Sequence, residues 1–466
     1  MPAAGASNGR QRILVCAPTN KAVSLLALRF LEAASDSGVN IVLVGDDTKL
    51  LEESGGNNSP LFTFYIYSWS FVIFQEYGKI LQFCISEIEP RKGSAKEMWE
   101  KSIVLRNRLF KSLLDLPSDF KKGVEALCAT LEKCASGESP RTAGGSLVRS
   151  IITSFAEFPQ EHVRTQILNS AHVIFSTLCS AACTAMLKMT NQVDALIVDE
   201  AAAATEPELY IAFQHGPSKL LVVGDPKQLQ ATVISKLAKR LGLPLSLHER
   251  LMYRCAYPYC MLDVQYRMHP EISQFPSLHF YDDKINNGEN VLGPSHEAKA
   301  LLLNRQPYVF WQAKGTESQD ASGSWFNYQE ADAVVSLVED LRKAHSLEWC
   351  CSSDRLRIIT FYQAQLAIVK KMLIKKEMND VLVATVDASQ GCEADVVIVS
   401  FVRSGNIPGF LTNNCRMNVA LTRARHQLVC VGNVQQFPSM KNAATLDRLS
   451  ADAMERNVVV QQERSV

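Results

Sequence analysis

Asp199-Glu200-Ala201-Ala202-Ala203-Ala204-Thr205-Glu206-Pro207-Glu208 opens a stretch that ends on Gly224-Asp225-Pro226-Lys227-Gln228-Leu229-Gln230-Ala231. Leu196-Ile197-Val198 runs into the first turn and Leu220-Leu221-Val222-Val223 into the second. Short apolar runs without alternation read as strands buried on both faces of a parallel sheet. Such a sheet presents its ligand-binding residues where its strands end. Acidic and amide side chains delivered there suit a phosphate-and-magnesium site. Asp199 is placed to hold Mg2+, directly or through water, because Mg2+ takes oxygen ligands and keeps several waters. Glu200 is placed to orient and deprotonate an attacking water. Gln228 is suited to hydrogen-bonding a γ-phosphate or that water. An Asp-Glu pair alone also fits a solvated strand end, and Asp225-Pro226 an ordinary turn. The small residues after Glu200 and the closeness of the two turns carry the chemical reading.

Similar apolar runs recur at Ile13–Val15, Ile41–Val44, Val173–Phe175, Ile358–Thr360, Val381–Val386, Val396–Phe401 and Leu428–Val431. Helical patterns separate them, so the expected fold is α/β, with two doubly wound parallel sheets in tandem. The first domain is expected over residues 1–255 and the second over 256–450, followed by a polar tail at 451–466. Residues 46–168 break the rhythm. Lys96–Phe110 and Phe120–Lys133 have helical spacing with many charges, and Gly137–Gly145 is a loop, which together predict a helical insertion. Residues 286–330 are a second Gly/Asn/Ser-rich excursion before a helix at Glu330–Ala344.

The 466 residues suffice for two or three domains. The formal net charge is zero, so any nucleic acid must be held by a local groove and not by a generally basic coat. The 13 cysteines are scattered, with no zinc-spaced cluster, and read as reduced thiols inside a cell. The apolar stretch Leu61–Phe74 is shorter than the roughly 20 residues of a membrane span, so no membrane anchor is expected.

Three further motifs lie in the second half. In Gln265-Tyr266-Arg267-Met268-His269-Pro270, Arg267 suits an arginine finger and Tyr266 a face for stacking on a purine. His269 reads as a structural turn residue. In Asp387-Ala388-Ser389-Gln390-Gly391-Cys392-Glu393, Gly391 permits a tight turn beside the nucleotide, and Glu393 suits a ribose hydroxyl. Ser389 and Gln390 suit a nucleic-acid backbone. In Asn418-Val419-Ala420-Leu421-Thr422-Arg423-Ala424-Arg425, two arginines at i and i+2 on a helix would diverge by about 200°. Arg423 is therefore assigned to the γ-phosphate and Arg425 to structural or interdomain pairing.

Taken together, Val15-Cys16-Ala17-Pro18-Thr19-Asn20-Lys21-Ala22-Val23, DEAA, GDPKQL, QYRMHP, VDASQGCE and NVALTRAR resemble superfamily 1 helicases. The resemblance is to the branch containing the nonsense-mediated-decay helicase and senataxin. It implies two RecA-like domains, ATP and Mg2+ as cofactors, and translocation along single-stranded RNA or DNA. Pro18, Thr19 and Asn20 match the motif that grips the nucleic-acid backbone. Asp199 and Glu200 match the magnesium and general-base carboxylates; Gln228, Arg267 and Arg423 match γ-phosphate sensors; Tyr266 matches a base-stacking position. Gln230 stands where the family usually has proline.

The family also carries a GxxxxGK[ST] phosphate loop before the Pro18 motif. The twelve residues before Ile13 hold none. The first domain is thus expected to be N-terminally incomplete, either as a piece of a longer helicase or as a short form that binds without hydrolysing. A monomer is expected, acting in the nucleus or cytoplasm, with the insertion offering a surface to a protein partner. No extra carboxylate cluster suggests a linked nuclease.

Overall fold

The computed structural model describes residues 11–34, 39–45, 160–190, 192–292, 306–345 and 347–461, with isolated positions between 125 and 136. The run Leu61–Phe74, the helix expected at Lys96–Phe110 and the loop Gly137–Gly145 lie outside the described residues. Within Phe120–Lys133, the described positions Glu125, Cys128, Ala129, Glu132 and Lys133 are helical. The chain forms two compact units. One holds Met1–Gly224 with Arg240–His248, the other Asp225–Lys239 with Glu249–Val466.

The first unit is built on five parallel strands: β1 (Ile13–Ala17), β2 (Ile41–Val44), β3 (Val173–Thr177), β4 (Ala195–Val198) and β5 (Lys219–Val222). Their order is β2-β3-β1-β4-β5. Helices α1 (Asn20–Ala34), α2 (Gln160–Ser170) and α3 (Glu206–Ala212) alternate with them. Val23 and Ala27 of α1 pack on Val15, Leu43 and Phe175. Burial lifts the Cys16 thiol in β1 to about 12, so this cysteine is inert packing and not a nucleophile.

Strand β5 departs from the expectation of burial on both faces. It is the edge of the sheet, and Leu220, Leu221 and Val223 are 38%, 55% and 38% exposed. Its composition is that of an interior strand, yet among the described residues it pairs only with β4.

The second unit carries six parallel strands: β6 (Tyr308–Gln312), β7 (Leu356–Thr360), β8 (Val383–Thr385), β9 (Ala394–Ser400), β10 (Ala424–Gly432) and β11 (Val459–Gln461). Their order is β8-β7-β9-β10-β6-β11. The helices are α4 (Pro270–Phe280), α5 (Tyr328–Ala344), α6 (Gln363–Lys375), α7 (Asn414–Leu421) and α8 (Ala444–Glu455). Tandem RecA-like α/β domains are the architecture. Phe310, Phe401 and Phe437 form the aromatic centre of one face, with ring centroids 5.3–5.8 Å apart.

Two expectations are corrected here. Strand β6 falls inside the supposed Gly/Asn/Ser-rich excursion, because its aromatic run Tyr-Val-Phe-Trp was masked by polar flanks. Residues 451–461 of the supposed tail finish helix α8, with Ala453 buried, and then pair as β11 on β6. Asp225–Lys239 clusters with the second unit and Arg240–His248 with the first, and side chains of the second unit hold the turn that starts at Asp225.

Helix α5 starts at Asn327, whose side chain accepts from the Gln329 and Glu330 amides. Its first turn buries Glu330 completely. Glu330 Oε2 accepts from Ser400 Oγ at 2.8 Å and from the Val402 amide at 2.7 Å. That amide belongs to a β-branched residue at φ 73, a left-handed conformation that needs an external tie. Burial raises the Glu330 carboxyl to about 8, against the hydrogen bonds that lower it. Its contribution to stability is therefore full below the ordinary glutamate range and is lost as pH climbs towards about 8. Hydrogen exchange of the β9 amides should accelerate from about pH 5 to 8, beyond the intrinsic rate, and Glu330→Gln should flatten that trend. An unchanged slope in the variant would contradict a neutral Glu330.

Candidate nucleotide site

In the first unit, β1, β4 and β5 lie side by side in register, with Cys16 opposite Val198 and Val198 opposite Val222. Their carboxyl ends therefore deliver Pro18-Thr19-Asn20, Asp199-Glu200 and Gly224 to one edge. Backbone bonds stitch that edge together. The Asp199 amide donates to Cys16 O at 2.9 Å, Val223 to Val198 O at 2.8 Å, and Ala201 to Val223 O at 2.9 Å. Glu200 makes the turn at φ 51 and ψ 33. A left-handed glutamate costs about 1 kcal/mol or more, and it is what swings the Ala201 amide onto β5. A Cβ on Gly224 would stand 3.0 Å from the Ala201 and Ala202 nitrogens. Glycine is thus required by the approach of two backbones.

Two caps set the helices behind this edge. Thr19 Oγ1 accepts from the Ala22 amide at 3.2 Å at the start of α1. Thr205 and Glu208 form a reciprocal capping box on α3. The turn predicted from Thr205 and Pro207 is this cap.

In the second unit the motif residues gather at the amino ends of β9 and β10. Arg267 Nε pairs with Glu393 Oε2, and Arg267 Nη1 donates to Thr422 O at 3.2 Å. Arg425 donates to Glu393 Oε1 at 2.8 Å and to Asp395 Oδ1 at 3.4 Å. Burial works to raise the Glu393 carboxyl, but the two arginines outweigh it and hold it below the usual range. Both oxygens that the sequence reading assigned to a ribose are taken by arginines in this structure. His269 caps α4 through Nδ1, which accepts from the Glu271 amide at 3.2 Å.

Arg423 is almost fully buried. Its Nε donates to Val419 O at 3.1 Å, its Nη1 to Cys392 O at 3.3 Å and its Nη2 to Gln228 Oε1 at 3.3 Å. Helix α7 ends at Leu421 and Ala424 begins β10, so Arg423 and Arg425 do not share a helix. Their different partners follow from this helix-to-strand turn, which corrects the helical geometry expected for them. Arg425 pairs within the second unit, with Glu393 and Asp395.

Tyr266 is 66% exposed, and a Cβ at Gly288 would collide with its ring. Gly391 takes φ 70, as a tight turn demands. Ser389 is fully buried and donates to Thr385 O at 2.9 Å, so its hydroxyl serves the turn and is turned away from any strand passing outside. Sequence reasoning missed Gly288, Tyr281 and Asn418. The last carried a signal, since it opens the NVALTRAR motif.

A family model described as an AAA domain matches residues 3–236, and a second AAA-domain model matches residues 243–435. The chain belongs to the superfamily 1 helicases of the senataxin and nonsense-mediated-decay branch. It is 33% identical over 300 residues to Helicase sen1 of Schizosaccharomyces pombe, covering 63% of this chain and 17% of that protein. Against Regulator of nonsense transcripts 1 of Caenorhabditis elegans it is 38% identical over 281 residues, or 58% of this chain and 26% of the relative. Probable helicase MAGATAMA 3 of Arabidopsis thaliana is 37% identical over 290 residues, covering 60% and 35%. This chain thus spans from a sixth to about a third of these relatives. Among solved structures, the Arterivirus nonstructural protein 10 helicase in complex with DNA aligns over 94% of this chain and 63% of its own. The identity is 11% and the TM-score 0.35, too low to add to the strand order.

Gly224→Ala tests the packing of the two turns. The Ala201 amide, protected by Val223 O, should exchange faster, and the first unit should lose about 1–3 kcal/mol of stability. Unaltered exchange would mean that the turn has room for a methyl group.

Proposed function

We propose that this chain is the motor portion of an ATP-driven helicase acting on single-stranded RNA or DNA. The observation that carries the reading is the shared edge of β1, β4 and β5, where a metal-type carboxylate pair and the Pro18-Thr19-Asn20 turn stand side by side. Asp199 would hold Mg2+, and its carboxylate oxygens fit a hard cation. Bound ATP·Mg2+ would supply the phosphoanhydride whose cleavage drives movement. Glu200 orients and deprotonates water, its position set by the left-handed turn. Gln228, Arg267 and Arg423 read the γ-phosphate, with Glu393 aiming Arg267. Tyr266 stacks on the base, and Gly391 shapes the turn beside Glu393. Pro18, Thr19, Asn20 and Gln390 contact the nucleic-acid backbone, while Ser389 holds the turn that carries Gln390.

A second reading, a non-hydrolysing nucleic-acid- or protein-binding module, is favoured by one observation. The phosphate-cradling loop has no counterpart among the described residues, where β5 pairs only with β4. We propose that a strand, glycine-rich loop and helix pairing onto β5 complete the phosphate site. Backbone amides of such a loop, with a lysine, would cradle the β- and γ-phosphates.

The test is single-strand-stimulated ATP hydrolysis by this chain and by the gene product extended upstream. Turnover should appear only where the loop is present, and Glu200→Gln should abolish it. Arg423→Ala should lower turnover by about 10³-fold with oligonucleotide affinity kept. Hydrolysis that survives Glu200→Gln rejects the carboxylate assignment. An extended chain that binds oligonucleotide but never hydrolyses supports the second reading.

A further inference from the structure

The turn Asp225–Gln228 is held by a chain of side-chain hydrogen bonds inside the second unit. Tyr281, just past α4, donates its hydroxyl proton to Asp225 Oδ2 at 2.5 Å. The same oxygen accepts from Gln228 Nε2 at 3.0 Å, while Asp225 Oδ1 accepts from the Lys227 amide at 2.9 Å. Asn418 Nδ2 donates to the Tyr281 hydroxyl at 2.6 Å and to Lys227 O at 3.0 Å. Gln228 Oε1, on the other side of its amide, accepts from Arg423.

This arrangement has a direction. A glutamine amide can flip, and its carbonyl and amino ends differ only in what they bond. Here Asp225 can only accept, which turns the Gln228 amino group towards it and leaves the carbonyl for Arg423. Asp225 in turn is fixed by Tyr281, whose hydroxyl is kept a donor by accepting from Asn418. The Asn418 amide faces the turn so strictly that its Oδ1 is buried with no hydrogen-bond partner among the described residues. The Tyr281 ring packs on the core of this unit, so phenylalanine would keep the packing and remove only the relay.

We infer that Tyr281 is a positioning residue: through Asp225 it sets the orientation of the Gln228 amide and so holds Gln228 and Arg423 as one preassembled pair. Its consequence for nucleotide recognition rests on the proposed γ-phosphate roles of Gln228 and Arg423. Burial, then the Asp225 carboxylate, push the Tyr281 phenol well above the usual tyrosine range, in keeping with a hydroxyl that stays a donor.

Two measurements on the full chain separate the inference from the functional reading. With 3-fluorotyrosine at position 281, Asp225→Asn and Gln228→Ala should each move the fluorine resonance, and Asp225→Asn should lower the phenol's titration midpoint. A resonance and midpoint indifferent to both substitutions would overturn the relay. In parallel, affinities for ADP·Mg2+ and a non-hydrolysable ATP analogue give the preference for the γ-phosphate. Tyr281→Phe should cut that preference about fivefold to tenfold, with the melting temperature and the affinity for a single-stranded oligonucleotide unchanged. Asp225→Asn should cut it similarly. A preference unmoved by Tyr281→Phe would overturn the positioning role. If neither nucleotide binds, the nucleotide reading fails and the fluorine experiment alone decides the relay.

Discussion

The parallel ladder of β1, β4 and β5 is the constraint on which the rest depends. Parallel strands in register end together, so whatever follows them is delivered to one edge of the sheet. That edge receives Pro18, Asp199, Glu200 and Gly224 from three distant stretches of sequence. Two details then bring the turns to bonding distance. Glu200 accepts a left-handed backbone, and Gly224 has no Cβ to hold Ala201 away. Neither detail makes sense for a plain strand end, where an extended residue of any type would serve.

The second unit solves a different problem. Its sheet carries its arginines at the amino ends of β9 and β10, where they must be kept from collapsing onto the nearest carboxylate in a useless geometry. Glu393 lies between Arg267 and Arg425, and Asp395 takes the other end of Arg425. The group is only partly buried, so its value lies in fixing guanidinium orientation more than in net stability. Buried polar groups elsewhere in the unit follow the same logic. Glu330, its carboxyl raised by burial, accepts from the Val402 amide and ties that residue down, and Arg403 forms a two-pronged pair with Glu317 while lying 4.0 Å over Trp325.

Much of this was legible beforehand. Nine strands announced themselves as apolar runs, because burial on both faces removes alternation and leaves a pattern that survives in one dimension. Motif turns were legible because glycine, proline and carboxylates cluster where strands stop. What escaped has physical causes. Strand β6 was hidden because aromatic residues flanked by polar loops read as an excursion, and pairing with β10 and β11 was needed to make it a strand. Strand β11 is short and amphipathic, and only its neighbour defines it. Strand β5 looked like an interior strand and is an edge, since composition records what a strand can bury and not what is there to cover it.

The sequence by itself determined the class of fold, the family and the chemical character of the two acidic turns. These depend on local pattern and on residue type at fixed spacing. Only the tertiary structure decided which groups face each other. Glu393 meets arginines, Ser389 points inward, and Gln228 hangs from Tyr281 through Asp225. Such pairings join residues up to nearly two hundred positions apart, and their hydrogen bonds depend on ångström-scale geometry that no one-dimensional pattern encodes.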